Sequence, residues 1–574
     1  MHWQQAPKIT PRIRKNLNKY SDIEAQLLFS FGIKTQNDAD DYFNSGLKDL
    51  SDPQLMPGIE SAANRIVEAV TNKERIFIYG DYDVDGISAT AILFDLLFRH
   101  LGAEVLPYIP NRFTEGYGMG SQGLDYILSK KGKLVITVDC GIRDKELVEE
   151  YSTKGLDFII TDHHTIDTNG NGEQIIPEEA IAVVHPGVQG TKYPFPGICG
   201  AAVAWKLASE VTKLAKDQEI LSDNFSIDIY LDLVALATVC DVMPLQDENR
   251  ILVRKGLKRL SKTKNLGLKE LMKIAAVDSD KLEAYHLGFL LGPRINAGGR
   301  IEHGMDGVRM LTSRDPYTVK EVAAKLDQLN FKRKRVTKQL LEEAEAQVEF
   351  TEKTRLLFVY GDDWSEGVVG LVAGRLSDKY YRPAIAAAKS DGIVKGSARS
   401  IRGFNITAAI ADSEKLLERY GGHDQAAGFS LLEENLTSFI QELEKYAKRE
   451  LKEDQLVKTI QVAAIIKASE ITTKLYETVA RFKPFGQGNR EPLFQIDNLT
   501  VSRANVVGKE GDHLKLTLES DNTTIPAIGF RMGSRLDILR GYATIDVVGS
   551  VSMNEWQGQT EIQLKLKDFR EHER

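Results

Sequence analysis

Three short apolar runs in the first third of the chain each stop abruptly at an acid. Ile76-Phe-Ile-Tyr79 leads to Gly80-Asp81-Tyr-Asp83-Val-Asp85-Gly86, Lys133-Leu-Val-Ile-Thr-Val138 to Asp139-Cys140-Gly141, and Leu156-Asp-Phe-Ile-Ile-Thr161 to Asp162-His163-His164. Apolar runs this short, bounded by turn residues, predict buried strands. Leu231 to Cys240 is apolar for long enough to be a buried helix, and it ends at Asp241. Between about residues 61 and 314, strand and helix patterns alternate, which predicts βαβ units and a mostly parallel sheet. Residues 1–60 carry helical patterns and turn clusters, a small helical lead-in.

Further along, the period changes twice. Asp315-Pro316 opens a long helix in which Val319, Val322, Leu326, Leu329, Val336 and Leu340 keep a three-four spacing, with Arg333 in one slot. At ~1.5 Å per residue it spans on the order of 45 Å, and residues 315–353 are expected to be a strut between two domains. A second αβ unit follows over 354–452. From 453 to 574 the pattern becomes alternating strands, such as Thr459-Ile-Gln-Val, Leu514-Lys-Leu-Thr-Leu, Thr544-Ile-Asp-Val-Val and Glu561-Ile-Gln-Leu-Lys-Leu. About five such segments fit an OB-type β-barrel. The fold class is therefore α/β: two αβ domains joined by a long helix, then a β-barrel.

In open parallel sheets, ligands sit beyond the carboxyl ends of the strands. Carboxylates crowded there repel one another and call for a divalent cation. Asp-x-Asp-x-Asp-Gly also opens an EF-hand loop, but counting from Asp81 the required twelfth-position Glu is Ile92, inside an apolar helix. Asp83-Val-Asp85-Gly86-Ile-Ser88, with Gly361-Asp362-Asp363 as a late motif, is similar to a haloacid-dehalogenase phosphatase, a family with no use for Asp162-His163-His164. Mixed carboxylate and imidazole ligands suit manganese or magnesium better than an all-thiolate zinc site would.

Composition adds limits. A chain of 574 residues, 42% hydrophobic and 27% charged, is an ordinary globular protein of two to four domains. No apolar stretch approaches a membrane span and no signal peptide is evident at the start, so no membrane role is expected. Cys140, Cys199 and Cys240 form no CxxC pair, which points to a reducing cytoplasm. The net charge of −8 argues against nonspecific coating of duplex. Local basic groups, Lys332-Arg333-Lys334-Arg335 and those around Arg294 and Arg300, are compatible with a narrow single-strand channel.

Asp83-Val-Asp85, Val138-Asp139-Cys-Gly141, Asp162-His163-His164 and Asp241 resemble the successive motifs of the DHH phosphoesterase superfamily. Within it the chain resembles the RecJ family of single-strand-specific 5′ exonucleases. The likeness runs on through Pro110-Asn-Arg112-Phe-Thr-Glu115-Gly-Tyr117-Gly118, Gly292-Pro-Arg294-Ile-Asn296-Ala-Gly-Gly-Arg300, Gly396-Ser397-Ala-Arg399, Gly421-Gly-His423 and Pro484-Phe-Gly486-Gln-Gly488. It covers the chain from about residue 20 to the end. The sequence departs from the family pattern at Asp247, where a glycine is usual, and at Arg490, where a proline is usual; neither is a proposed ligand.

The resemblance implies two divalent metals, Mn²⁺ or Mg²⁺, held ~3.5–4 Å apart. Asp139 would bridge them, Asp83 with Asp81 completing one shell and Asp85, His163 and Asp241 the other. His164 would contact the phosphate or protonate the leaving group. Ser397, Arg399 and one of Arg294 or Arg300 would bind a 5′-phosphate, with Arg112, Arg375 and His423 nearby and Tyr117 stacked on a base. The glycine-rich segment Gly367-Val-Val-Gly370-Leu-Val-Ala-Gly374-Arg375 is expected to be a turn entering a helix, whose free N–H groups suit an anion. On the barrel, Phe530, Arg531 and Trp556 are candidates for base stacking. Expected partners are single-stranded DNA and, by resemblance, a single-strand-binding protein and a RecQ-type helicase. Two other readings are a DHH phosphodiesterase acting on oligoribonucleotides or cyclic dinucleotides, and a noncatalytic strand-binding scaffold. The barrel weighs against the first, and the full ligand set against the second.

Overall fold

The computed structural model describes residues 1–574 except 117, 521–522, 540–543, 557, 574 and the side chain of Trp556. The chain forms two compact units. The larger comprises Ser51–Met243 and Leu252–Val457; the smaller comprises Met1–Leu50, Pro244–Ile251 and Lys458–Arg574.

In the larger unit, strands β1 (Ile76–Gly80), β2 (Val105–Tyr108), β3 (Leu134–Val138), β4 (Asp157–Thr161) and β5 (Ala182–Val184) form a sheet in the order β2-β1-β3-β4-β5. Every pairing is parallel. All residues of β1 and β3 are buried, which explains their continuous apolar runs: a parallel sheet is covered on both faces. The chain turns one way from β1 to β2 and the other way to β3, so the topological switch falls between β1 and β3. Helices α1 (Val84–Phe94), α2 (Gly200–Asp217) and α3 (Leu231–Cys240) pack on one another beside this sheet.

Helix α4 (Gly292–Ile301) and the long α5 (Pro316–Ala346) follow. The Asp315 carboxylate caps α5, accepting from the N–H groups of Tyr317 and Thr318, and Pro316 occupies the first turn. α5 is not a bare strut. Its stripe is buried at both ends: Val319, Val322, Leu326 and Leu329 in the first half, Leu340 and Ala344 in the second. The first half packs on α4, and the second joins the core of the next αβ layer with Leu357, Val368 and Leu376. That layer holds β6 (Leu357–Asp362), α6 (Glu366–Tyr380), β7 (Ala384–Ser390), β8 (Ile393–Arg399), β9 (Arg419–His423) and β10 (Ala426–Leu432). Its strand order is β9-β10-β8-β7-β6, with only β6 and β7 parallel.

The smaller unit is built on a closed barrel. β11 (Phe494–Val507), β12 (His513–Ser520), β13 (Thr523–Gly529), β15 (Gln559–Glu571) and β14 (Ile545–Trp556) pair in that order, and β14 pairs back onto β11. The alternation read from the sequence is its inward face: Leu514, Leu516, Leu518, Ile525, Ala527, Val547 and Leu564 are buried. Thr459–Val462, expected as a barrel strand, instead pairs in parallel with His2–Gln5 in a separate two-stranded sheet. Leu17, Leu27 and Leu28 from the N-terminal helices share a core with Phe482 and Phe494. Asp247 has φ +42°, the left-handed conformation that makes a glycine the usual choice there.

Leu326 is fully buried, and its side chain lies against Gly298 of α4. Leu326→Ala should destabilise the larger unit by about 2–5 kcal/mol through the cavity left between α4 and α5, read as a lowered melting temperature.

Candidate active site

The switch between β1 and β3 is where the acids collect. Backbone N–H groups aim two of them, and backbone conformation or a helix end places the others. The Asp83 carboxylate caps α1, its Oδ1 accepting from the N–H groups of Asp85 (2.8 Å) and Gly86 (3.2 Å). Asp85 lies across the N-terminus of α2 and accepts from Gly200 N (2.6 Å) and Ala201 N (2.7 Å). Asp139 follows β3 at φ +63°, a conformation that non-glycine residues hold only when their surroundings enforce it. A Cβ on Gly200 would lie 2.7 Å from the Asp139 Cβ, so α2 can approach this closely only through a glycine. Asp241 caps the C-terminus of α3.

These groups converge on His163. Its Nε2 lies 3.1 Å from Asp139 Oδ1, 3.6 Å from Asp85 Oδ2 and 3.6 Å from Asp241 Oδ2. At the His163 nitrogen none of these contacts has hydrogen-bond geometry, and Asp81 Oδ1 and Asp241 Oδ2 are likewise buried without a hydrogen bond. Asp81, Asp83 and Asp139 form a second group of converging oxygens. Burial, followed by the charge on Asp83, pushes Asp85 up to about 7, and burial with mutual repulsion raises Asp81, Asp139 and Asp241 well above the carboxylate range. Burial and the neighbouring His164 push His163 down to about 3, so its ring is neutral. A neutral imidazole with a bare nitrogen facing three carboxylates is not an ion pair. It has the composition and spacing of a group that could hold a cation.

Asp162 aims the two histidines. Its Oδ1 accepts from His163 N (2.7 Å) and His164 N (3.1 Å) and lies 2.7 Å from His164 Nδ1, while Oδ2 accepts from Ile142 N. Burial alone would lower His164, but the hydrogen bond and charge of Asp162 raise it. His185 receives the Gly187 N–H on Nδ1 and donates Nε2–H to the His164 carbonyl at 2.8 Å.

A cluster of guanidinium groups adjoins the acids. Arg112 sits over the Tyr82 ring, 5.2 Å from its centroid, between the candidate ligands Asp81 and Asp83. Burial and repulsion from Arg112, Arg333 and Arg399 push Arg300 down to about 10, with Asp83 acting in the opposite sense. Burial and Arg112 lower Arg399 too. Arg399 Nη1 donates to Ser397 Oγ at 3.1 Å. Repelling cations crowded together need an anion as surely as the acids need a cation. Arg294 is committed elsewhere: its Nε donates to Asp327 (2.8 Å) and its Nη1 to Leu290 O (2.7 Å). Arg375 is exposed on α6 beside Arg333. His423 Nδ1 is 3.4 Å from Thr165 Oγ1, beside the His163-His164 turn. Tyr117 lies outside the described residues, as does the side chain of Trp556. In the smaller unit Phe530 is exposed, edge-on to His513, and Arg531 follows it at φ +59°.

The glycine-rich segment Gly367–Gly374 is helix almost from its start. α6 begins at Glu366, so these glycines lie inside a helix. A Cβ on Gly367 would meet Arg300 O at 2.0 Å, and one on Gly370 would meet Ser397 Oγ at 2.8 Å and Arg399 Nη2 at 3.1 Å. They allow close packing around the arginines; Gly370 and Gly374 lie past the first turn, and Gly367 alone sits within it.

Residues 75–238 match the DHH family N-terminal domain, 353–449 the DHHA1 domain and 462–568 the RecJ OB domain. The single-stranded-DNA-specific exonuclease RecJ of Bacillus subtilis is 36% identical over 550 residues, covering 95% of this chain and 67% of that protein. RecJ of Escherichia coli is 31% identical over 581 residues, covering 97% and 98%. The chain belongs to the RecJ family. The crystal structure of Thermus thermophilus RecJ in complex with Mn²⁺ superposes with a TM-score of 0.83 at 27% identity, covering 100% of this chain and 80% of that one. Its Mg²⁺ complex gives 0.78 at 26%.

Several residues of this RecJ-family site carried no role in the sequence reading. Asn296 Oδ1 accepts from Val84 N at 3.0 Å and so ties α4 to the Asp83–Asp85 turn. Gly299 and Gly304 clear space for Tyr82. Gly200 and His185 show their use only through contacts distant in sequence, with Asp139 and His164. With metal chelated, the His164 ring should titrate above the ordinary ~6.5 of histidine. Asp162→Asn removes the anion that holds the proton, so the His164 pKa should fall, as an NMR titration would record.

Proposed function

We propose that this chain is a single-stranded-DNA-specific 5′-to-3′ exonuclease that releases mononucleotides by two-metal phosphodiester hydrolysis in DNA repair and recombination. One observation carries the reading: the carboxylate–imidazole cluster and the guanidinium cluster adjoin through Asp81-Tyr82-Asp83. A substrate with a scissile phosphate at the first and a terminal phosphate at the second satisfies both charge excesses.

The donors fit Mn²⁺ or Mg²⁺. They are carboxylate oxygens with one imidazole, and burial holds the nearby Cys199 and Cys240 thiols neutral. Asp81, Asp83 and Asp139 would hold one ion and Asp85, His163 and Asp241 the other, with Asp139 reaching both. Such ions, when bound, neutralise the scissile phosphate and lower the pKa of an attacking water. His164, with Nδ1 held by Asp162, keeps a proton on Nε2 to give to a phosphate oxygen or the departing alkoxide.

Arg300, Arg399 and Ser397 would take the terminal 5′-phosphate, since guanidinium forks match phosphate oxygens. Of the two α4 arginines we choose Arg300, because Asp327 occupies Arg294. Arg112, Arg375, His423 and Tyr117 would line the approach, and Phe530, Arg531 and Trp556 would stack bases on the barrel. We keep the working division into 1–60, 61–314, 315–353, 354–452 and 453–574. A single-strand-binding protein and a RecQ-type helicase are the partners we would test, in a cytoplasmic setting. Among the described residues no helix is long and apolar enough to cross a membrane.

Single-stranded DNA labelled at either end should lose mononucleotides first from its 5′ end with Mn²⁺ or Mg²⁺, while a hairpin with no tail is spared. Asp139→Ala should bind the strand and yield no product. Cleavage confined to oligomers of a few nucleotides, or none by wild type, would overturn the reading. Arg399→Ala should erase the preference for a 5′-phosphate over a 5′-hydroxyl, costing about 1.5–3 kcal/mol. Mn²⁺ should raise the melting temperature of wild type, and Asp85→Asn should remove most of that rise.

A further inference from the structure

The segment just before α4 presents aromatic rings to solvent. Tyr285 and Phe289 are 57% and 69% exposed and stack at 5.1 Å with an interplanar angle of 22°. The backbone from Leu287 to Leu291 is a single π turn, a distortion frequent at functional sites. This segment is pressed against the last turn of α3. Cys240 Sγ lies 3.5 Å from Leu287 O, and Cβ atoms on Gly288 and Gly292 would meet Val239 and Cys240. The next residues are the candidate ligand Asp241 and then Val242, which is 64% exposed at φ +58°. The ring pair therefore stands on the element that supports the rim of the metal cluster.

A third ring comes from α5. α5 runs antiparallel to α4: Lys325 reaches Glu302 and Asp306, whereas Asp327 reaches Arg294. Continued one turn beyond Asp327, that antiparallel register carries Phe331, 69% exposed, toward the 287–291 segment. Lys334, Arg335 and Lys338 follow it at i+3, i+4 and i+7, exposed on the same helical face. Apolar rings on a helix normally face the core. Here three face water beside a basic stripe, the arrangement that binds single strands without regard to sequence.

We propose that Tyr285, Phe289 and Phe331, flanked by Lys334, Arg335 and Lys338, form the track for single-stranded DNA on the 3′ side of the scissile phosphate. The proposal rests on the exonuclease reading and extends it. The terminal phosphate is held among the arginines, the next phosphate meets the metal cluster, and the remaining strand leaves past Asp241 and Val242 onto the rings. Bases stack on the rings and the lysines follow the backbone.

The test uses the full chain with Tyr285→Ala/Phe289→Ala and Phe331→Ala, side chains whose exposure predicts unchanged melting. Binding of fluorescent oligothymidylate of about twenty nucleotides to metal-free protein should weaken roughly tenfold per ring removed. Phe289→Trp should restore it. With Mn²⁺ the KM for the same strand should rise with kcat unchanged, while turnover of a 5′-phosphorylated trinucleotide, too short to reach the rings, stays the same. Unchanged binding of the long strand, or equal losses on long and short substrates, would overturn the track. A wild type that binds the strand through these rings but cuts neither substrate would leave the track standing and remove the exonuclease reading.

Discussion

Like charges forced together in a buried place dominate this molecule. Asp81, Asp85 and Asp139 are at most 4% exposed, and Asp83, Asp241 and His163 crowd against them. Burying even one ion costs several kcal/mol after relaxation, so such a cluster persists only if the scaffold is rigid and a counter-charge is available. The parallel sheet supplies rigidity by placing three strand ends side by side. The helix N-termini of α1 and α2 supply partial positive charge and donors for Asp83 and Asp85. What they leave uncompensated is the binding energy reserved for cations.

α4 passes the geometry of that cluster to the neighbouring arginines. It bonds the Asp83–Asp85 turn through Asn296, lets Tyr82 in against Gly299, and carries Arg300 one residue later. The carbonyl of Arg300 is met by α6 at Gly367, which brings Ser397 and Arg399 alongside. One short helix thus fixes the distance between two sites of opposite charge. A spacing held by backbone packing is insensitive to side-chain motion, and an enzyme that counts one nucleotide at a time needs such a ruler.

The acids were legible because strand ends in a parallel sheet are predictable places and Asp81, Asp139 and Asp162 close three apolar runs. Contacts set by distant elements were not. Arg294 and Arg300 look equivalent in sequence; the pairing of Arg294 with Asp327, 33 residues further on, appears only in the structure. The packing use of Gly367 and Gly370 was not legible, because a glycine that admits a neighbouring element looks the same in sequence as one that frees an N–H for an anion. The stripe on α5 was visible, yet its two half-stripes face different neighbours, which periodicity cannot distinguish. The His2–Gln5 strand escaped notice because it is four residues long and its partner is Thr459–Val462.

The smaller unit is stitched from three separated pieces, and the first fifty residues share a core with strands that begin past residue 490. On a ribosome adding roughly 5–20 residues per second, Leu17, Leu27 and Leu28 emerge about 25–95 s before Phe494. During that interval the amino terminus lacks the strands that complete its core, while the parallel sheet behind it is already complete enough to close. Synthesis therefore imposes an order on the architecture: the nuclease body matures first, and the barrel assembles last around a segment that has waited since the beginning.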